Sequence, residues 1–186
     1  MRKFRLYAAI AAIAAMLGLH AGTAVAGRSS SDVLAGDIVT GLFPVVAFST
    51  AYFKHDTEGE KEWLRDTLIS EVLNTGLRVA FNQTSLGKRP NGNGYGFPSG
   101  HAGFVFSQAA FLQERYGWKY GVPALLLAST VSYIRVREDK HHWRDVIVGG
   151  ALSYGVALLT VTPEHATHLA PIVGPGFLGL RWERSF

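Results

Sequence analysis

The chain has 186 residues, no cysteine and a formal net charge of +4. That length suits one domain with a real core, and the lack of thiols excludes a disulfide framework, thiol catalysis and a lipid-modified N-terminal cysteine. Arg2, Lys3 and Arg5 carry most of the charge, and removing these three leaves only +1, so nothing points to a nucleic-acid partner.

The opening MRKFRLYAAIAAIAAMLGLHAGTAVAG joins those basic residues to an apolar run from Leu6 to Leu19 and to Ala24-Val25-Ala26. This is the pattern of a secretory signal peptide over residues 1–26, cleaved before Gly27, which predicts export to the periplasm. An uncleaved anchor is the weaker reading, because the run is shorter than the ~20 residues that a span needs. Without this segment the mean hydropathy drops from +0.14 to close to zero, modest for a polytopic membrane protein.

A polar lead-in over residues 27–36 precedes an apolar helix from about 37 to 53, and then the charged loop KHDTEGEKEW. Residues 61–82 read as an amphipathic helix, with Trp63, Leu64, Leu68, Val72, Leu73 and Val79 at helical spacing against Glu62, Arg65, Asp66, Glu71 and Arg78. The Gly- and Pro-rich segment 83–100 is an irregular loop. Helices follow at about 101–115, 121–135 and 142–161, each bounded by Gly, Pro or charge. The apolar stretches 38–53, 103–113, 122–134 and 146–162 all fall short of the ~20 residues of an upright span. They fit either a compact helical domain or short helices in or on a membrane. The tail 163–186 ends in GFLGLRWERSF, which alternates somewhat and reads as a docked strand or an interfacial anchor. His165 and His168 within it lack a third partner and read as surface residues rather than ligands. The class is all-α, with the helical domain over residues 27–162.

Three islands stand out from this background. The first is Lys88-Arg89-Pro90, the second Pro98-Ser99-Gly100-His101, and the third IRVREDKHHWRDVIVGG with Arg135, His141 and Asp145. On a helix, His141 and Asp145 would share one face, so the carboxylate could hold one imidazole nitrogen and leave the other as nucleophile or base. His142 competes for Asp145 at a spacing of three, and the residues alone leave that choice open. An Arg135 guanidinium suits phosphate oxygens. The amides of Ser99, Gly100 and His101 would open a helix, where unsatisfied N–H groups and the dipole favour an anion. Gly100 allows close backbone approach, and His101 at the edge of that anion could protonate a leaving oxygen.

Taken together and in order, KRP, PSGH and R-x5-H-x3-D resemble the three signature motifs of the type 2 phosphatidic acid phosphatase and vanadium haloperoxidase superfamily. KHHWRDVIVGG is similar to the third motif of its lipid-phosphatase branch, and the likeness runs over roughly residues 37–162. The resemblance implies a helical bundle of about five to six helices with the active site at one end. It implies a phosphatase that needs no metal or cofactor. His141 would attack phosphorus, oriented by Asp145, with the spacing selecting it over His142. Arg89, Arg135 and the Ser99 and Gly100 amides would hold the phosphoryl oxygens, and His101 would be the general acid. Two positions depart from the pattern: Asn82 stands where the first motif's lysine belongs, and Ile134 where the third motif carries serine. Lys88, beside Arg89, is the candidate for restoring the missing charge.

The expected substrate is a phosphate monoester or pyrophosphate of a membrane lipid, such as phosphatidate, phosphatidylglycerophosphate, undecaprenyl pyrophosphate or lipid A, at the periplasmic face of the inner membrane. The alternatives are a soluble nonspecific acid phosphatase, a vanadate-dependent peroxidase and an inactive phospholipid-binding protein. If the apolar segments cross the membrane at 38–53, 67–82, 102–113 and 122–134, all three islands fall on one side. Glu71, Asn74 and Arg78 make 67–82 a poor lipid-facing span.

Overall fold

A computed structural model describes residues 31–164 and the backbone of 167–174 and 177–184; the expected signal peptide and His165 lie outside the described residues. Five helices follow in chain order: α1 Ser31–Phe53, α2 Thr57–Phe81, α3 Gly100–Tyr116, α4 Trp118–Arg137 and α5 Trp143–Thr160. A single 3₁₀ turn, Ser85–Gly87, interrupts the long loop after α2. The tail forms an antiparallel hairpin, β1 Thr167–Gly174 with β2 Phe177–Arg184, in register from Thr167 opposite Arg184 to Gly174 opposite Phe177. The helical class is as expected, and the alternation of the tail does become a strand.

Local chemistry sets the helix ends. Asp56 caps α2, its carboxylate accepting from the Gly59 amide at 2.9 Å. Ser99 caps α3, and Gly117, at φ +80°, ends α3 and opens α4 in a conformation that suits glycine. At α5 the His142 amide donates to Asp145 Oδ2 at 2.8 Å, one half of a capping box. That box moves the helix start to Trp143, so His141 lies just before the helix rather than on it.

Helix α3 is the axis of the bundle. Its Ala102, Phe104, Val105, Ala109, Ala110 and Phe111 are fully buried, and all four other helices pack on it. Helix α5 crosses it closely. A Cβ on Gly149 would lie 2.6 Å from the Ser99 carbonyl oxygen, and one on Gly150 would lie 2.8 Å from the Phe106 ring. Only glycines let the start of α5 approach the start of α3 this closely, and that approach brings the second and third islands together.

Helix α2 is turned the other way from a helix of a water-soluble domain, whose apolar stripe faces the core. Trp63 is buried, but Leu68, Val72, Leu73 and Val79 of the apolar stripe face outward, while Glu62, Asp66, Thr67, Ser70, Glu71 and Asn74 face inward. Several of the inward polar groups pair across the helix contacts, as buried ones tend to. Asp66 accepts from Ser107 at 3.0 Å, Gln108 accepts from the Trp63 indole at 2.7 Å, and Asn74 donates to Ser153 at 2.9 Å. Polar contacts between helices, with apolar residues outside, suit a hydrocarbon surround. Glu71 and Asn74, which on sequence grounds disqualified this segment as a lipid-facing span, therefore turn away from its outer face. The outer faces of α1, α4 and α5 are apolar too, with Leu42, Leu126, Ile147 and Leu159 exposed. Among the described helices, α1 is the one long and apolar enough to cross a membrane by length and composition.

At the bundle end that holds the α2 N-terminus, a buried ion network closes the fold. Arg115 donates to Asp56 at 2.6 and 2.7 Å and to the Thr162 carbonyl at 2.7 Å, and also meets Glu62 at 3.3 Å.

Candidate active site

At the opposite end, the start of α1, the end of α2, the start of α3, the end of α4 and the start of α5 converge, roofed by the loop 82–99. Helices that alternate in direction must bring these termini to one side, so the islands meet although more than forty residues separate Arg89 from Arg135.

The loop is folded back on itself. Asn82 Oδ1 accepts from the Tyr95 amide at 2.7 Å, the Arg89 amide donates to the Asn93 carbonyl at 2.8 Å, and the Gly96 amide donates to the Gly87 carbonyl at 2.7 Å. Gly92 makes the turn at φ +85°. Asn82 is thus engaged in loop structure. The folding back places the Gly96 carbonyl against His141, whose Nδ1 donates to it at 2.8 Å.

This corrects the expected orienting partner. Asp145 Oδ2 stands 3.7 Å from His141 Nδ1, too long for a hydrogen bond, and its short contact is with the His142 amide. A backbone carbonyl therefore sets the His141 tautomer and leaves Nε2 for chemistry, while Asp145 adds negative charge nearby. His141 is only 3% exposed.

A second correction concerns Ser99. Its amide donates to the Asp145 carbonyl at 2.9 Å, and its hydroxyl caps α3 by accepting from Ala102. The Ser99 amide is a strap between α3 and α5 rather than a donor awaiting an anion. Gly100, the first residue of α3, has no carbonyl one turn earlier for its amide.

Asp37 of α1, which no motif signalled, enters the site. Its Oδ1 accepts from His101 Nε2 at 3.1 Å and from the Arg135 guanidinium. Arg135 is 5% exposed, and its Nε is buried without a partner, as is the Nε of Arg89. Arg78, on α2, also reaches the site: a Cβ on Gly100 would lie 2.4 Å from its Nη1. Helical spacing could have revealed Arg78, since it sits one turn before Asn82. Lys88 is exposed, and among the described contacts none joins it to the other site residues.

The electrostatics follow from burial and crowded cations. Burial, then Arg89 and Arg78, pull His101 down to about 4. Burial also lowers His141, against the opposing pull of Asp145 and the Gly96 carbonyl. Burial brings Arg135 down to about 10. Burial would raise the Asp145 carboxyl, but His141 and the His142 amide outweigh it and hold it below its ordinary value. The site is a largely buried, cation-rich cluster that would stabilise a bound anion.

Beside it lies an apolar groove of about 370 Å³, lined by Phe106, Ser132, Trp143, Val146, Gly150 and Tyr154. Ser132 is one turn before Arg135, and Trp143 two residues after His141, so the groove runs from the pocket between α4 and α5.

Known proteins resemble this chain in sequence. A profile of the PAP2 superfamily matches residues 45–166. A lipid A 4'-phosphatase of Helicobacter pylori is 33% identical over 132 residues, covering 67% of this chain and 66% of that protein. A lipid A 1-phosphatase of the same species is 33% identical over 97 residues, covering 52% and 49% of the two chains. Phospholipid phosphatase 2 of Rattus norvegicus is 39% identical over 77 residues, covering 35% and 28%. The chain thus spans less than two thirds of the length of each of these relatives. No solved structure matches it.

Proposed function

The chain belongs to the PAP2 superfamily, and from that membership we propose that it is a phosphatase of a membrane lipid phosphate or pyrophosphate, working through a phosphohistidine. The observation that carries this reading is the convergence of Arg89, His101, Arg135, His141 and Asp145, drawn from distant segments, on one end of the bundle.

His141 Nε2 supplies the electron pair that forms the N–P bond, since Nδ1 is committed to Gly96. Arg89 and Arg135, with the Gly100 amide, take the charge of the phosphoryl oxygens. The bond from phosphorus to the leaving oxygen breaks as His101 passes its proton to that oxygen. At rest His101 is depressed to about 4. A phosphate dianion offsets the neighbouring cations and restores its affinity for the proton. Water then attacks the phosphohistidine, with proton removal by the neutral His101, releasing phosphate and regenerating His141.

Two observations favour a lipid over a soluble ester. One is the apolar groove beside the pocket. The other is the inverted α2, with the apolar outer faces of α1, α4 and α5, which suit a bundle seated in a membrane. Residues 1–26 direct export and are removed, so the site faces the periplasm. The lipid A phosphatases among the relatives support a lipid phosphate as substrate.

The test is phosphate release by the purified protein from a panel of phospholipids, lipid A and a soluble aryl phosphate, with wild type and His141→Ala compared. Release from lipids that vanishes in the variant is expected. Equal release in both would remove the phosphohistidine, and a preference for the aryl phosphate would favour a nonspecific acid phosphatase.

A further inference from the structure

We propose that Arg78 is a third guanidinium of the phosphate seat, contacting the substrate's phosphoryl oxygens over Gly100 in the place of the lysine that Asn82 displaced. The inference rests on the phosphatase reading above.

Three features of the fold carry it. The first is position. Glu71, Asn74 and Arg78 follow one another along the inward face of α2, and that face runs past the start of α3. A Cβ on Gly103 would lie 2.7 Å from the Asn74 amide group, and one turn on, a Cβ on Gly100 would lie 2.4 Å from Arg78 Nη1. The guanidinium therefore presses, Nη1 first, against the residue that opens α3.

The second is charge. A helix N-terminus repels a cation, and Arg89 and His101 stand within electrostatic reach of Arg78. Glu71, two turns back on α2, is an acidic group within its reach. The hydrogen bond that Arg78 makes is a long one, to Thr75 Oγ1 at 3.4 Å. Cations gathered at the positive end of a dipole raise the energy of the empty pocket and lower it once an anion binds.

The third is exclusion. Asn82 is taken up by Tyr95, and Lys88 is exposed on the loop, so neither stands where a third cation would.

The test compares wild type, Arg78→Gln and Arg78→Lys, measuring KM, kcat, competitive inhibition by inorganic phosphate and the thermal midpoint with and without phosphate. A charge-assisted bond lost from the seat predicts KM and the phosphate inhibition constant raised about tenfold to hundredfold in Arg78→Gln, with most of the loss restored in Arg78→Lys. In the absence of phosphate, Arg78→Gln unfolds at the same or a higher temperature than wild type, because like charges have been separated. Its stabilisation by phosphate is reduced. A purely structural Arg78 would instead lower the phosphate-free midpoint and leave the inhibition constant unchanged, and that result overturns the inference. So does an Arg78→Gln enzyme with wild-type KM and phosphate inhibition. If wild type releases no phosphate, or His141→Ala remains active, it is the phosphatase reading that fails.

Discussion

Gly149→Ala tests whether the α3–α5 crossing holds the site together. The new Cβ would sit 2.6 Å from the Ser99 carbonyl oxygen, roughly 0.8 Å inside the ordinary contact distance. Neither atom can turn aside, because one is part of a helix and the other is backbone tied at both sides: the Ser99 amide to the Asp145 carbonyl, and the Ser99 carbonyl to the Gly103 amide. The helices must therefore separate, at about 1–3 kcal/mol for overpacking, offset by about 0.5–1 kcal/mol because alanine suits a helix interior better than glycine. A net loss of about 1 kcal/mol lowers the thermal midpoint by only some 2–4 °C. Activity falls further. The shift moves Gly100 and His101 away from His141 by most of an ångström, a displacement that can cost about a hundredfold in rate. Gly155→Ala is the control, since its Cβ would meet nothing within 4 Å on the same helix; it gains stability and keeps its activity. Phosphate release and thermal unfolding of the two variants decide the matter. If Gly149→Ala behaves like Gly155→Ala in both assays, the two helix starts are not rigidly coupled and the argument is wrong.

At the far end of the bundle, Arg115→Met strands two carboxylates, those of Asp56 and Glu62, that are 7% and 4% exposed. The cost is about 3–5 kcal/mol, seen as a thermal midpoint lower by about 10 °C with KM unchanged below it. Stability also depends on pH through His101, whose folded value of about 4 lies below its ordinary 6.5. Between those values the unfolded chain takes up a proton that the native one refuses, so the contribution is full above pH 6.5 and is lost as the pH falls towards 4. Denaturant midpoints at pH 7.5 and 5 should differ less in His101→Gln than in wild type, and an equal difference would show that His101 is not the group. Asp37→Asn removes a carboxylate that an incoming phosphoryl group must displace from Arg135 and His101. Because Asp37 is 40% exposed, the expected fall in KM is only about two- to fivefold. A rise in KM would mean that Asp37 holds those two side chains in place.

The number and approximate limits of the helices were legible in the chain because punctuation by Gly, Pro and capping residues is a local property. So was the gathering of His101, Arg135 and His141, since three short motifs in order define which groups must meet. Periodicity also identified both faces of α2. Which face turns inward was beyond it, because amphipathicity has the same period whether the outside is water or hydrocarbon. The partner of His141 depended on a carbonyl brought in by a folded loop, and backbone groups leave no mark on a sequence. Ser99 lost its expected role for the same reason: its amide meets the Asp145 carbonyl only because Gly149 lets two helices touch. Asp37 and Arg78 arrive from helices that carry none of the three motifs, placed by alternating helix direction and by one turn of α2. Local spacing determined which chemistry the chain could carry. The crossing of α3 and α5 decided which atoms perform it, because hydrogen bonds are short and reach only what packing brings within about 3 Å.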